Sequence, residues 1–262
     1  MQFGVCCGPD LAPAAAAAGY DYFEWTVGDF LRPAAGEDEF HEALARVRAA
    51  PLPCPVLNCF IPAGLKIAGP RADPAKLEAY AGTALRRAEA AGVRVIVFGS
   101  GGARGVPEGF DRQRALAQIE DFCRYTAARA GEHGVTVAIE PLNPKECNTL
   151  TTVDEAAALA RGINHPALRI LVDTYHWAAG DGSVRGIAAN GDLLAHVHAA
   201  TFPGRLAPGA EHCDLEPCFD ALRTTGYDGR ISLECALKEP GVELPRALAV
   251  MKALLRVSST PF

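Results

Sequence analysis

Four side chains able to bind a metal or move a proton close four short apolar runs. Glu140 ends VTVAIE, Asp173 ends LRILVD, His198 ends LLAHVH and Glu234 ends GRISLE. Three carboxylates and one imidazole brought to one point form a mixed oxygen and nitrogen donor set suited to a divalent ion. A single acid after a strand commonly caps the helix that follows, so each position alone also has a structural reading. The four ends lie roughly 25–36 residues apart, the length of one strand, one helix and their loops. Successive strand–helix units would then deliver one ligand apiece to a shared face, which makes Glu140, Asp173, His198 and Glu234 the candidate metal ligands.

Other reactive side chains cluster beside these ends. In IEPLNPKE, Pro141 lacks an amide hydrogen, so the strand ladder cannot simply continue past Glu140. Glu146 then falls on a loop above the strand ends, as a substrate-binding group or a loop cap. His176 follows Asp173 by three residues in VDTYHW, close enough to stand beside a ligand held there. In HVH the two-residue period of a strand turns His196 and His198 to the same face; His198 is nearer the open end and His196 packs deeper. Arg205, between turn-rich sequences in TFPGRLAPGAEHCD, is placed to bind an oxyanion or a hydroxyl. Glu24 in YFEW faces the same mouth and is read as orienting a neighbour. The run Gly99-Ser-Gly-Gly-Ala-Arg104 lacks the Lys-Ser/Thr ending of a phosphate loop and the spacing of a dinucleotide fingerprint, so it reads as a turn. Lys66 reads as solvated.

The elements that must position these groups alternate from end to end. Apolar, β-branched runs occupy Phe3–Cys7, Tyr22–Val27, Val56–Phe60, Val93–Phe98, Val135–Glu140, Leu168–Asp173, Leu194–Ala199 and Arg230–Glu234. Helical patterns fall at Ala12–Ala18, Asp38–Ala49, Pro74–Ala91, Asp111–Glu132, Thr152–Ile163, Val184–Ala189, Glu216–Thr225 and Glu243–Val257. Glycines in AAGV and EHGV punctuate helix ends before the next strand. Such alternation implies a parallel sheet covered by helices, and eight repeats favour a closed (β/α)₈ TIM barrel over an open sheet. The 262 residues match one such domain, expected to cover 1–262 with its site at the C-terminal face of the strands.

Composition narrows the partners. A formal net charge of −6 argues against nucleic acid or an anionic membrane as the main partner. Nine cysteines, an odd number with no CxxC pair, several of them in apolar runs, read as thiols of a reduced cytoplasmic protein. The start MQFGVCCGPD lacks the basic region of a secretory leader, and the alanine run at 14–18 is too short to span a membrane.

On IEPLNPKE, VDTYH, HVH with its PGR loop, and the late SLE, the chain resembles the xylose-isomerase-like TIM-barrel superfamily of sugar isomerases and epimerases. Within it, the resemblance is to the ketose 3-epimerases of the D-tagatose/D-psicose type and to the hydroxypyruvate isomerases, over essentially the whole chain. It implies that Glu140 is both metal ligand and base, that Asp173, His198 and Glu234 are ligands, and that Glu146, His176 and Arg205 contact substrate. One divalent ion is implied, Mn²⁺ preferred with Mg²⁺ or Co²⁺ as alternatives, and no organic cofactor. The substrate is expected to be a small sugar, and the assembly a homodimer or homotetramer. Glu140 and Glu234 would act as the catalytic acid/base pair, one removing the C3 proton of a ketose and the other returning one through a metal-stabilised enediolate. The alternatives are a hydroxypyruvate-type aldose–ketose isomerase, an inosose-type dehydratase and, more remotely, an endonuclease IV-like phosphodiesterase. The chain departs from the epimerases at Pro144-Lys145 after EPLN and in PGAEHCDL, which leaves His212 as an extra substrate contact or a surface residue.

Overall fold

The computed structural model describes residues 1–180 and 182–256. Val257, the expected end of the last helix, and the rest of 257–262 lie outside the described residues. Eight strands run β1 Gln2–Cys6, β2 Tyr22–Thr26, β3 Val56–Asn58, β4 Val95–Phe98, β5 Thr136–Ile139, β6 Leu168–Asp173, β7 Leu194–Ala199 and β8 Arg230–Leu233. All neighbouring pairs are parallel and β8 closes onto β1, so the sheet is the expected (β/α)₈ barrel. Between Ile170 and Leu171 one step along β6 spans two along β7, a bulge that makes Ala195 the extra residue.

The strands are shorter than the apolar runs suggest. β3 stops at Asn58 because Cys59 turns the chain with φ of 51°, and β4 starts at Val95. Glu140 and Glu234 lie one residue beyond β5 and β8 rather than on them. Among the described residues three short α-helices, at Val27–Phe30, Gly101–Arg104 and Thr174–Ala179, and a 3₁₀ turn at Gly191–Leu193 were not foreseen. The long helices stand close to their predicted places, the last beginning at Pro240. Their first turns are fixed by side-chain caps, with Asp73, Asp111 and Thr152 accepting from the amides of Lys76, Arg114 and Glu155.

Apolar packing divides into an outer layer between strands and helices and a separate cluster inside the barrel. The inner cluster joins Tyr22, Val56, Val95, Val97, Ala138 and Leu171. Gly4 makes room for it: a β-carbon there would lie 2.1 Å from the Tyr22 ring. Two residues further along the strands, the inward positions change character to Cys6, Glu24, Asn58, Glu140, Asp173, His198 and Glu234. This apolar cluster, completed by the buried His196 and Ser232 on the other wall, thus supports a polar ring at the C-terminal ends.

Candidate functional site

The ligand atoms of Glu140, Asp173, His198 and Glu234 all lie within 4.8 Å of one another. His198 Nδ1 stands 3.3 Å from Glu140 Oε1, 3.4 Å from Glu234 Oε2 and 4.0 Å from Asp173 Oδ2. Each side chain owes its place to its strand: Asp173 ends β6 opposite His198 on β7, and Glu140 and Glu234 take the first step past β5 and β8. Glycine at 99 leaves room for the Glu140 carboxylate, which a β-carbon there, 2.2 Å from Oε2, would push out of place. The structure therefore brings the four predicted ligands together.

Their protonation reflects crowding. Burial, then repulsion from Glu234 and Glu140, pushes Asp173 well above the usual carboxylate range. Burial also raises Glu140. Glu234 is held down at about 2, because the charge and hydrogen bond of His198 and the charge of Arg205 outweigh its burial. His198 is raised well above its ordinary value; burial opposes this, but Glu24 and Glu234 dominate. Asp173 accepts from the Tyr175 and His176 amides through Oδ1, while its buried Oδ2 has no hydrogen-bond partner. An unpartnered carboxylate oxygen facing two more carboxylates and an imidazole is a donor set that a divalent cation satisfies. The residues present fit such an ion.

The predicted substrate contacts surround the same point. Arg205 donates to Glu234 at 2.6 Å and lies 3.8 Å from both Glu146 and Asp173. It also lies over the Tyr175 ring, 4.9 Å from the centroid. His176 Nδ1 accepts from the Asn143 amide and side-chain nitrogen, which leaves Nε2–H as its free donor. Burial and then Arg205 hold His176 down at about 3, so the ring is neutral. Asn143 also donates to Glu146 at 3.0 Å, tying that loop residue to His176. A cavity of about 730 Å³ opens over the ring, lined by Glu140, Glu146, His176, Arg205 and Glu234 among others.

Glu24, read from the sequence as orienting a neighbour, is fully buried and bonds both histidines of HVH: His198 Nε2 at 2.9 Å through Oε1, and His196 Nε2 at 2.9 Å through Oε2. Its fixed acceptor turns Nδ1 of His198 toward the carboxylates. Burial would raise Glu24, but the two imidazoles outweigh it and hold the carboxyl below its usual range. Ser232 also donates to Glu24, and Tyr22 shares a 2.9 Å hydrogen bond with Ser232. His196 packs below His198, as anticipated. Neither Asn143, although it lies within IEPLNPKE, nor Asn58, at the inward end of β3, was singled out from the sequence. Arg104 is fully buried and donates to the backbone carbonyls of Phe98 and Glu140. His212 is exposed, and Lys66 donates to the carbonyl of Gly102 at 2.5 Å.

The fold is a (β/α)₈ barrel with an acid- and histidine-lined C-terminal mouth, and comparison assigns the family. Residues 12–254 match the xylose isomerase-like TIM barrel family, to which the chain belongs. The chain is 31% identical over 177 residues to a 2-oxo-tetronate isomerase of Cupriavidus necator, covering 63% of this chain and 65% of that protein. It is 34% identical over 121 residues to a ketose 3-epimerase of Arthrobacter globiformis, covering 45% of this chain and 41% of that one. Neither alignment reaches two thirds of the relative's length. In fold it is similar to a D-psicose 3-epimerase from Clostridium cellulolyticum H10, with a TM-score of 0.83 at 18% identity over 98% of this chain and 100% of that one. Among the described residues no helix is long and apolar enough to cross a membrane.

Proposed function

We propose that the chain is a divalent-metal-dependent sugar epimerase acting at C3 of a neutral ketose. The observation that carries this reading is the placement of Glu140 and Glu234. They follow strands three apart around the barrel, each within 3.4 Å of the same imidazole nitrogen, and both line the cavity. A substrate carbon bound over the ring would have two separate carboxylates within reach, as removal of a proton by one and return by the other requires.

Glu140, Asp173, His198 and Glu234 would hold the ion, which when bound supplies Lewis acidity that lowers the cost of deprotonating carbon next to a carbonyl. The chain's own side chains do the rest. Glu140 and Glu234 exchange protons with the substrate carbon, and such groups typically contribute about 10²–10⁴-fold. His176 offers Nε2–H to a substrate oxygen, its orientation fixed by Asn143. Arg205 steadies Glu234 as a carboxylate and reaches the cavity with its remaining donors.

Charge supports a neutral substrate. Arg205 is the only arginine or lysine lining the cavity among the described residues, and it is already shared among Glu234, Glu146 and Asp173. Beyond the ion itself, a phosphate or a free carboxylate would find no uncommitted cationic side chain there and several acids to repel it. A second reading, aldose–ketose isomerisation, draws on the similarity to the 2-oxo-tetronate isomerase.

The test is proton exchange. Mn²⁺-loaded protein is incubated in D₂O with free ketoses, hydroxypyruvate and phosphorylated ketoses, and the products are followed by NMR. Metal-dependent deuterium at an inverted C3 of a free ketose is the expected result. A moved carbonyl makes the protein an isomerase, and exchange confined to the acids or phosphates overturns the neutral-substrate reading.

A further inference from the structure

The polar ring also holds a sulfur donor that the carboxylate-rich cluster does not use. Cys6 ends β1 two residues past inward-facing Gly4, and its side chain lines the cavity. Its sulfur lies within 4.8 Å of a ligand atom of His198 and of Glu234, which are themselves that close to each other. We propose that Cys6, His198 and Glu234 form a second, thiolate-containing metal site, overlapping the carboxylate-rich one and taking a thiophilic divalent ion of the Zn²⁺ or Cd²⁺ class.

Three donors of this kind, sulfur, nitrogen and oxygen, with a cavity on the remaining side, make a four-coordinate centre with one open position. Tetrahedral bonds of about 2.0–2.3 Å put ligand atoms about 3.4–3.8 Å apart, so separations under 4.8 Å close with small side-chain rotations. Sulfur selects for soft ions, whereas hard ions such as Mn²⁺ and Mg²⁺ favour the carboxylates. On ligation the S–H bond breaks, its proton passes to solvent and the sulfur lone pair forms the bond to the metal. Because His198 and Glu234 serve both sites, one ion excludes the other. Two further cysteines line the same cavity, Cys59 and Cys235, and neither belongs to a ligand cluster among the described residues. The inference concerns metal binding and holds whichever sugar the cavity processes.

The full chain, stripped of metal by a chelator, is titrated with Cd²⁺ while ultraviolet thiolate-to-metal charge transfer is recorded for the wild type, Cys6→Ser, Cys59→Ser and Cys235→Ser. A band saturating at one equivalent is expected in all but Cys6→Ser. In that variant Cd²⁺ affinity falls on the order of tenfold or more, while Mn²⁺ affinity shifts by less than about threefold. No band in the wild type, a band kept in Cys6→Ser, or one lost equally in Cys59→Ser overturns the proposal. A second measurement needs no variant: free Mn²⁺ is followed by electron paramagnetic resonance as Cd²⁺ is added to Mn²⁺-loaded wild type. Release of one Mn²⁺ per Cd²⁺ bound is expected, and binding of both ions together overturns the shared-ligand site.

Discussion

Along β3 to β6 the lower barrel lumen is filled by Val56, Val95, Val97, Ala138 and Leu171, whereas on the opposite wall Tyr22, His196 and Ser232 occupy it with hydrogen-bonding groups. The first half needs only volume and shape, which hydrophobic burial supplies without direction. The second half is directional: Tyr22 meets Ser232, Ser232 meets Glu24, and Glu24 fixes His198. Both halves support the ring above. Only the polar half sets the orientation of a proposed ligand, so damage to the two halves should be felt differently.

The sharpest break comes at the ring itself. Glu140→Gln and Glu234→Gln should each lower metal-dependent C3 exchange by about 10²–10⁴-fold or more, measured by deuterium uptake. A near-normal rate in either variant removes that residue from the chemistry. Next, Leu171→Ala in the apolar half should cost about 2–5 kcal/mol of stability in a urea titration. Its Mn²⁺ affinity should stay within about threefold of wild type; a tenfold loss would erase the distinction between the halves. The smallest effect belongs to Glu24→Gln, which keeps the shape of the polar half but removes its charge. Mn²⁺ affinity should fall by about 10–100-fold in calorimetry while Leu171→Ala leaves it alone. An unchanged affinity would reduce Glu24 to a space-filling role.

The same contrast explains what was legible in the sequence. Strand–helix alternation and apolar runs announced the barrel, since periodicity reports burial directly. Glu140, Asp173, His198 and Glu234 could be read because each closes an apolar run, and the structure gathers them within 4.8 Å. Glu24 stood in a comparable place, but its partners arrive from strands distant in the chain, and one acid in YFEW does not reveal two buried imidazoles. Asn143 was hidden for a similar reason: its value lies in holding Glu146 and His176 at once, a relation of loop geometry. Cys6 read as one of nine thiols, all unpaired here, and only the inward alternation on β1 separates it from Cys7. The short helices after β2, β4 and β6 escaped because a single turn carries no period to detect.

The bulge at Ala195 bears on how this protein can change over generations. Side chains on a strand alternate, so deleting Val197 would turn His196 and His198 to opposite faces, whereas deleting Ala195 only removes the bulge and leaves both histidines inward. Replacement of a single side chain can be compensated by a neighbour, whereas a frame slip beyond the bulge would strip Glu24 of a partner that no neighbour can supply. Insertions and deletions should therefore be purged from 196–198, and tolerated at Ala195 and in the exposed stretch around 107–109. Deep mutational libraries that include single-codon deletions would reveal that asymmetry as a sharp boundary along the chain.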